Sequence, residues 1–406
     1  MKLSEELQWR GFVNQMTFDD ISKVDTPRKF YFGVDPSADS MQIGNLAAAM
    51  MVRLFMEYGH EAYLLVGGAT GMIGDPDGRK DEREIRNADT VAHNVECISA
   101  QYRRVFEGCD FHLVDNADWF RNINYIDFLY KVGKHMSMTQ LLDREFVQAR
   151  IGEGGSGISY AEFSYSLIQG YDFLHLFREH GVTLQVCGAD QWGNSTTGVS
   201  LIRKLEGSEA HVYSVPLVIN KATGRKFGKS EGGAIWLDEN KTSVYKFYQF
   251  WLNVDDDGVI DYMKMYTTLD RESIEAIAEN HAVNPSARSA QKVLAREVTD
   301  IVHGANRRES VERVTEVLFG GGDFRQLSDD DLDALAQEIP RVDVGVGVIE
   351  ALVISGAVSS NGEAKRLLKS GAISLNGEKI AEDRAVNTTS LLKKGKNTFV
   401  LIMEGE

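Results

Sequence analysis

The sequence predicts an α/β protein in which a Rossmann-like domain with a parallel sheet precedes a helical domain and a small α+β domain. Over the first two hundred residues, short strand signals alternate with segments of helix length, a pattern typical of βαβ crossovers. From residue 241 to about residue 319 the pattern is mainly helical. The glycine triplet at 320–322 then precedes a short segment rich in turn residues, which indicates a further domain.

Apolar runs and their terminators place the elements of the first domain. Strands are predicted at residues 29–34, 62–67, 111–114, 183–189 and 212–219. Pro216 weakens the last of these predictions, because proline cannot donate a hydrogen bond to a strand ladder. Helices are predicted at residues 46–58, 90–106 and 160–177, with further helical segments up to about residue 150. Gly59 is placed to end the first helix.

The end of the chain carries signals of a second compact fold. Acidic residues follow the glycine triplet, so residues 321–344 are predicted to form a flexible linker. Ser360 and Glu363 have the spacing of a capping box that opens a helix, which Gly371 would end. Asn376-Gly377 between two β-prone runs is a strong hairpin signal.

The charge of the chain limits its partners. A formal net charge of −16 argues against a general nucleic-acid coat. Residues 361–406 nevertheless hold eight lysines and arginines against six acidic residues, so this end is locally basic. A basic module on an acidic body can contact RNA locally, although the same charges are also compatible with an ordinary solvated surface.

Cysteine usage and hydropathy favour a cytoplasmic protein. The three cysteines, Cys97, Cys109 and Cys187, are widely spaced and form no CxxC motif, so we expect reduced thiols and no metal site. The apolar runs are too short to span a bilayer. The polar, acidic start of the sequence favours the absence of a secretion signal.

Two glycine patterns that often bind nucleotides have the wrong context here. Residues 152–157 match the GxGxxG string of dinucleotide-binding folds but follow a helical stretch where a strand is needed. We therefore expect a flexible loop. Residues 224–230 are one residue short of the P-loop spacing, so a phosphate-cradling P-loop is not expected.

Two distant segments instead predict the two halves of an ATP site. Gln42-Ile43-Gly44-Asn45 lies where a helix begins, and the N–H groups and dipole of such an end favour phosphate. Residues 226–230, Lys-Phe-Gly-Lys-Ser, place two lysines beside a glycine that permits close approach to a polyphosphate. Taken singly, the first segment could be only a helix cap and the second only a charged loop. Together they suggest nucleotidyl transfer, which needs positioning and charge neutralisation.

Several further stretches make the chain resemble the bacterial tyrosyl-tRNA synthetases, which are class I aminoacyl-tRNA synthetases, over essentially its whole length. These stretches are residues 31–40, 66–76, 163–165, 169–173, 188–194, 226–233 and 245–251. The basic end resembles the small RNA-binding domain that this family shares with a ribosomal small-subunit protein. The resemblance implies a nucleotide-binding catalytic domain with a helical insertion at 1–225, a signature loop and helical anticodon-side domain at 226–320, the linker at 321–344 and an RNA-binding domain at 345–406.

The resemblance also implies an activity and its partners. Such an enzyme would activate L-tyrosine with ATP and Mg²⁺ to tyrosyl-adenylate, and then transfer the tyrosyl group to the 3′ end of tRNA(Tyr). It would be a cytoplasmic homodimer with no resident metal or organic cofactor. The helix residues Lys365, Arg366 and Lys369 would contact RNA.

Site residues follow from the resemblance one by one. Tyr31 and Asp172 would hydrogen-bond the phenolic hydroxyl of tyrosine. The ammonium group would be held by Asp75, Tyr165 and Gln169, with support from Asn116. Asp190 and Gln191 would contact the ribose and the carboxyl region of the amino acid. The remaining ATP contacts are assigned to Gly33, Asp35, Ser37, Gln42, Gly44, Asn45, Lys226, Lys229 and Ser230, and Arg79, Lys80 and Arg83 are assigned to a loop beside the site.

One departure from the family leaves alternatives open. The family signature at 42–45 is His-Ile-Gly-His, whereas this chain has Gln42 and Asn45. Both amides still offer a hydrogen-bond donor, so we expect a changed rate and a retained reaction. The alternatives are a non-catalytic RNA-binding protein derived from a synthetase, and a related synthetase for tryptophan. Retention of the Tyr31 and Asp172 pair and of both loop lysines argues against the first. Against the second, Asp172 facing an indole would lack its hydroxyl partner.

Overall fold

The computed structural model describes residues 1–76, 87–142, 144–152, 154–221, 223–224, 227–230 and 233–404. The chain divides into two compact units. The first comprises Met1–Lys241 and Leu252–Val302, and the second comprises Thr242–Trp251 and His303–Glu406. Within the described residues, no helix is both long enough and apolar enough to cross a membrane.

The helices and strands follow in chain order. The helices are α1 (Leu3–Arg10), α2 (Ile43–Glu57), α3 (Thr70–Ile73), α4 (Ala88–Val105), α5 (Ala117–Phe120), α6 (Tyr125–Lys131), α7 (Met138–Leu142), α8 (Glu145–Ile151), α9 (Tyr160–His180), α10 (Trp192–Glu206), α11 (Val244–Leu252), α12 (Val259–Tyr266), α13 (Arg271–Val283), α14 (Ser289–His303), α15 (Ala305–Thr315), α16 (Asp329–Ala336), α17 (Val348–Ile354) and α18 (Asn361–Lys369). The strands are β1 (Lys29–Val34), β2 (Glu61–Val66), β3 (Phe111–Asp115), β4 (Leu184–Gly188), β5 (His211–Val215), β6 (Lys229–Ser230), β7 (Gly233–Ala234), β8 (Arg341–Asp343), β9 (Ile373–Leu375), β10 (Glu378–Lys379), β11 (Ser390–Lys394) and β12 (Thr398–Met403).

The first unit is built on a five-stranded parallel sheet with the order β3-β2-β1-β4-β5. The predicted α/β class with a parallel sheet is therefore confirmed. Strand β1 lies at the centre, between β2 and β4. The winding of the sheet reverses there, and in such sheets ligands bind in the crevice outside the carboxyl ends of the strands.

Helices α9 and α10 pack against each other at unusually close range. A Cβ atom at Gly198 would lie 2.7 Å from Cβ of Phe173, and one at Gly170 would lie 2.6 Å from Cγ2 of Thr197. Only glycine fits at such an approach. The close contact holds α9, which carries Asp172, firmly against α10, which begins just after Gln191.

The second unit contains a mixed five-stranded sheet with the order β10-β9-β11-β12-β8. Only β12 and β8 run parallel. The predicted hairpin is present, with positive φ angles of 50° at Asn376 and 85° at Gly377. Helices α17 and α18 bury Leu352 and Leu368 in a core with Ile373 and Leu392 of the sheet.

The segment 321–344, expected to be a flexible linker, contains a folded helix. Ser328 caps α16 by accepting the N–H of Asp331, and Arg313 binds both oxygens of Asp331 at 2.9 and 2.8 Å. Phe324 and Leu335 are buried in one apolar cluster with residues of β11 and β12. Since its apolar side chains are covered in this way, the segment is not a free tether. The division of the chain at residues 225, 320 and 344 stays a prediction.

Two smaller expectations also need correction. Strand β5 ends at Val215, directly before Pro216, and does not continue to residue 219. At the start of α18, Ser360 Oγ accepts the N–H of Glu363, but the Glu363 carboxylate accepts from the N–H of Ser359. The reciprocal half of the predicted capping box is therefore displaced by one residue.

Candidate active site

Polar residues gather where the parallel strands end. Asp35 follows β1, Gly67 follows β2, Asn116 follows β3 and Asp190 follows β4. Because parallel strands share one carboxyl edge, the topology brings these residues to the same side of the sheet. All but Gly67 were predicted individually as site residues.

A buried polar pair forms the floor of the site. Tyr31 on β1 is 1% exposed and Asp172 on α9 is 2% exposed. The Tyr31 hydroxyl has no hydrogen-bond partner among the described residues. Asp172 accepts hydrogen bonds from Asn116 Nδ2 at 3.2 Å and from Trp119 Nε1 at 2.9 Å. The floor therefore holds an unpartnered hydroxyl beside an oriented carboxyl group.

Burial controls the protonation of both groups. Burial raises the pKa of Asp172 well above its ordinary range, and the donors Asn116 and Trp119 only partly oppose that rise. Burial, followed by the charge of Asp172, raises the pKa of Tyr31. The influence of Asp172 on Tyr31 reflects their proximity. A ligand hydroxyl bound between them would supply the hydrogen bond that Tyr31 lacks.

Asn116 connects this floor to the loop after β2. It is fully buried, accepts the N–H of Ala69 at 2.7 Å and donates to Thr70 Oγ1 at 3.0 Å. Its remaining donor reaches Asp172. The supporting position predicted for Asn116 is thus a hydrogen-bond junction between three elements.

A second group of predicted residues surrounds Tyr165. Its hydroxyl donates to Asp35 Oδ2 at 2.8 Å, and Gln191 Nε2 donates to Asp75 Oδ2 at 2.6 Å. Burial raises the pKa of Tyr165, and the negative charges of Asp35, Asp75 and Asp172 raise it further. Three carboxyl groups therefore lie around one buried phenol, an environment that attracts a cation.

Gln169 adds a buried acceptor to this part of the site. Its Oε1 atom has no hydrogen-bond partner among the described residues. A buried oxygen left unpaired costs free energy, so it is available to receive an N–H donor from a ligand. This is the environment that an ammonium group requires.

The two predicted ATP segments meet in space. The Ile43 N–H donates to Ile235 O at 3.1 Å and the Leu237 N–H donates to Met41 O at 2.9 Å. Gly228 has φ of 88°, and a Cβ atom there would lie 3.3 Å from Cβ of Ile43. The backbone of the second segment therefore lies directly against the start of α2.

A cleft of about 180 Å³ opens beside this junction. Within it, Asn45 Oδ1 accepts the N–H of Gln42 at 3.0 Å, which leaves the Asn45 amide N–H groups as donors. The lining residues are Val34, Asp35, Ser37, Ala38, Ser40, Met41, Gln42, Asn45, Ile98 and Trp236. Four of the residues predicted to contact ATP thus line one cleft, while Gly33 and Gly44 are exposed nearby in the chain.

Residues that the sequence reasoning did not single out support the wall of the cleft. Gln101 accepts the N–H of Met41 at 2.8 Å and donates to Ser40 Oγ at 2.9 Å. Lys241 pairs with Asp39 at 2.7 Å and lies 5.2 Å from the ring of Trp236. Gln101 belongs to no motif. It could not be predicted from the sequence because it lies far along the chain from the segment that it supports.

The remaining predicted residues fall into three groups. Lys229 and Ser230 form the short strand β6, which pairs with β7. Arg79, Lys80, Arg83 and Lys226 lie outside the described residues. In the second unit, Lys365, Arg366 and Lys369 are exposed on α18, as an RNA-contacting role would require.

Comparison with known proteins identifies the family. Residues 23–320 match the family described as tRNA synthetases class I (W and Y). The chain belongs to this family. Residues 331–406 match the tyrosine–tRNA ligase SYY-like C-terminal domain.

Curated relatives of this synthetase family match over the full length. The tyrosine–tRNA ligase of Latilactobacillus sakei is 42% identical, with 99% of this chain and 96% of the relative covered. Tyrosine–tRNA ligase 2 of Bacillus cereus is 41% identical, with both chains fully covered. The Flavobacterium psychrophilum tyrosine–tRNA ligase is 40% identical over 100% of this chain and 97% of the relative.

Solved structures agree with this assignment. The C-terminally truncated mitochondrial tyrosyl-tRNA synthetase of Aspergillus nidulans has a TM-score of 0.70 at 28% identity, covering 78% of this chain and 94% of that one. The Archaeoglobus fulgidus tyrosyl-tRNA synthetase complexed with L-tyrosine has a TM-score of 0.56 at 15% identity, with 76% and 99% covered. The latter similarity concerns the fold alone.

Proposed function

We propose that this chain is a tyrosine–tRNA ligase, which activates L-tyrosine with Mg·ATP and transfers the tyrosyl group to tRNA(Tyr). The observation that carries the proposal is the floor of the site. There the unpartnered Tyr31 hydroxyl lies beside Asp172, whose carboxyl group is oriented by Asn116 and Trp119. A phenol fits this pair, because its hydroxyl can donate to one group and accept from the other.

The two ends of the amino acid would then face different residues. With its ring on Tyr31 and Asp172, its ammonium group would be held by Asp75, Tyr165 and Gln169. Gln191 and Asp190 are proposed to contact its carboxyl region and the ribose. This orientation directs the carboxylate towards the cleft lined by Ser37, Gln42 and Asn45, where ATP is proposed to bind.

The first reaction needs no nucleophilic side chain from the protein. A carboxylate oxygen of tyrosine attacks the α-phosphorus of ATP, a new P–O bond forms, and the bond to the β-phosphate bridge breaks to release pyrophosphate. Negative charge on the phosphate oxygens is proposed to be stabilised by Gln42, Lys226, Lys229 and Ser230, together with Arg79, Lys80 and Arg83 and the Mg²⁺ that accompanies ATP. Such preorganised donors act through transition-state stabilisation.

Tryptophan is the competing substrate within the same family. An indole N–H could donate to Asp172, but it has no acceptor for the Tyr31 hydroxyl. Binding tryptophan would therefore leave a buried hydroxyl unpaired, which is unfavourable. The sequences of the curated tyrosine–tRNA ligases, at about 40% identity over full length, also favour tyrosine.

Dimerisation is proposed from an exposed apolar surface on α6. Tyr125, Ile126 and Tyr130 are 57%, 68% and 65% exposed, and Tyr125 Oη donates to Tyr160 Oη at 3.3 Å. Exposed aromatic groups of this extent are typical of an interaction surface. A two-fold dimer would bury them, and light scattering of the full chain in solution measures its mass.

A cytoplasmic location is also proposed, consistent with three free cysteines.

The activity is tested by amino-acid-dependent exchange of pyrophosphate into ATP, followed by tRNA charging. We expect exchange with tyrosine and not with tryptophan, and charging of tyrosine onto bacterial tRNA. Exchange that depends on tryptophan would contradict the substrate. Absence of exchange with every amino acid, combined with tRNA binding, would instead support the non-catalytic alternative.

A further inference from the structure

Arg144 connects three helices beside the proposed ammonium site. It immediately precedes α8, and its guanidinium group reaches α9 and α10. It donates to Gly193 O at 2.8 Å and to Thr197 Oγ1 at 2.6 Å. It also donates to Asn194 Oδ1 at 2.9 Å and to Ser166 Oγ. None of the motifs in the sequence includes this arginine.

The contact with Asn194 fixes the direction of an amide. A guanidinium group has only donors, so it requires the oxygen of the Asn194 side chain. Ser166 Oγ donates to the same Oδ1 atom at 2.5 Å. Asn194 is 3% exposed, so bulk water does not compete for these positions. The Nδ2 group of Asn194 must therefore point the other way.

The direction of Asn194 is passed on to Gln191. Asn194 Nδ2 donates to Gln191 Oε1 at 3.2 Å. With its oxygen taken by that donor, Gln191 presents Nε2 to Asp75 Oδ2 at 2.6 Å. Reversal of the Gln191 amide would place two oxygen atoms against each other at Asp75, which is repulsive. The orientation of each amide thus depends on the previous donor.

We propose that Arg144 is a positioning residue for the α-ammonium group of the amino-acid substrate. Through Asn194 and Gln191 it sets the side of Asp75 that receives an N–H donor, and so orients the carboxylate for the ammonium. Arg144 does not touch the substrate in this arrangement. The inference rests on the proposed function, which assigns Asp75 to the ammonium group.

The key variant is Asn194→Asp, because it separates amide direction from simple cohesion of the helices. An aspartate at this position still accepts from Arg144, and the added charge strengthens that contact. It has no N–H for Gln191, however, so Gln191 would turn its own Nε2 towards the new carboxylate. Asp75 would then face an oxygen. Arg144→Met removes all of the guanidinium donors, whereas Arg144→Lys keeps one charged donor in the form of an ammonium group.

Two ligands that differ only in the ammonium group provide the readout: tyramine and 4-ethylphenol. Their dissociation constants are measured on the full chain by competition against tyrosine binding. In the parent, tyramine should bind more tightly than 4-ethylphenol. In Asn194→Asp and Arg144→Met, the dissociation constant of tyramine should rise by about tenfold to a hundredfold, the range for losing a hydrogen bond to a charged group. Binding of 4-ethylphenol should change less than about twofold, and Arg144→Lys should recover part of the tyramine affinity.

The controls separate the possible failures. Arg203→Met, at an exposed arginine on α10, should leave both constants unchanged. Equal weakening of both ligands in Asn194→Asp and Arg144→Met would overturn the positioning role and leave only a structural one. Undiminished tyramine binding in both variants would also overturn it. A parent chain that binds neither tyrosine nor tyramine would contradict the proposed function itself.

Discussion

Asp172 is the residue at which proposed function and stability oppose each other most clearly. Its carboxyl group is buried, and its pKa is raised by that burial. Above the ordinary aspartate pKa of about 3.9 the unfolded chain loses this proton, whereas the folded chain retains it up to a higher pH. The folded state then binds more protons, so this group lowers stability as pH rises through that window.

The first prediction concerns the variant Asp172→Asn, which cannot ionise. Its free energy of unfolding relative to the parent should increase between pH 4 and pH 8, because only the parent has the buried acid. Tyrosine binding should weaken in the same variant, since an amide NH2 replaces one of the two carboxyl oxygens that can accept the phenol. Urea unfolding at several pH values, with tyrosine titration at neutral pH, measures both. A stability difference that is independent of pH would contradict the raised pKa.

The unusual Gln42 gives a second prediction at the residue scale. Gln42 lines the cleft, and its backbone N–H is already held by Asn45, so substitution should leave the start of α2 formed. Gln42→Ala should cost about 2–4 kcal/mol of transition-state stabilisation in adenylate formation, and Gln42→His should lie within about tenfold of the parent. Single-turnover rates measure both. An alanine variant as fast as the parent would exclude a phosphate contact by this side chain.

Sequence reasoning identified site residues that follow strands or belong to motifs, such as Asp35 and Asn116. It did not identify Trp119, although Trp119 lies three residues after Asn116 and holds the same carboxyl group. Arg144 was missed for another reason. Its partners come from two other helices, and no pattern within one segment records such a contact.

At the scale of elements, the second signature segment is fixed by an aromatic stack. Phe227 is buried, and its ring lies 4.2 Å from the ring of Tyr262 on α12 at an angle of 24°. Tyr266 contributes a second ring at 5.8 Å. Helix α12 therefore supports the backbone of Gly228, which lies against the start of α2.

The third prediction tests this support with two changes at Tyr262. Tyr262→Leu removes the stacked ring and should raise the KM for ATP by about three- to tenfold, in line with the energy of an aromatic pair. Tyr262→Phe is the matched control. It keeps the ring and loses the contacts of the hydroxyl, which are with Asp255 at 3.4 Å and with the backbone of Lys221, and it should change KM little. The dissociation constant for tyrosine without ATP should stay the same in both variants, and a shift there would indicate general unfolding.

The alternation of strands and helices along the chain was predictable because each parallel strand is a short apolar run with a helix behind it. Their ends were less so. The expected strand at 212–219 crosses Pro216, and β5 in fact ends at Val215. The two ATP segments were expected to meet only because both suit a polyphosphate. Nothing in the sequence specifies the backbone pairing of Met41 with Leu237, which lie before the first segment and after the second.

At the scale of the whole molecule, the end of the chain is part of a larger folded unit. Composition predicted a flexible tether at 321–344, because glycine and aspartate dominate its first half. The few apolar residues decide otherwise: Phe324 and Leu335 are covered by Leu391, Phe399 and Leu401. A chain cut near Pro340 would therefore expose this cluster, so RNA binding is better tested in the full chain.

The fourth prediction uses charge reversal of the exposed residues on α18. The triple variant Lys365→Glu, Arg366→Glu and Lys369→Glu should reduce tRNA charging at physiological salt, and the dependence of tRNA affinity on salt should become shallower. Tyrosine-dependent exchange should be unchanged, because every residue assigned to that step lies in the first unit. Equal charging by parent and variant would show that these residues do not contact the tRNA and form an ordinary solvated surface.

The central claim is that Tyr31 and Asp172 select a phenolic hydroxyl, and the ratio of exchange rates with tyrosine and phenylalanine tests it most directly. Phenylalanine would leave the buried Tyr31 hydroxyl unpaired and would offer Asp172 no phenolic donor. We therefore predict that kcat/KM for tyrosine exceeds that for phenylalanine by about 10⁴–10⁵, a range for which a tyrosyl-tRNA synthetase is itself the standard example. Comparable values for the two amino acids in the parent chain would contradict the account.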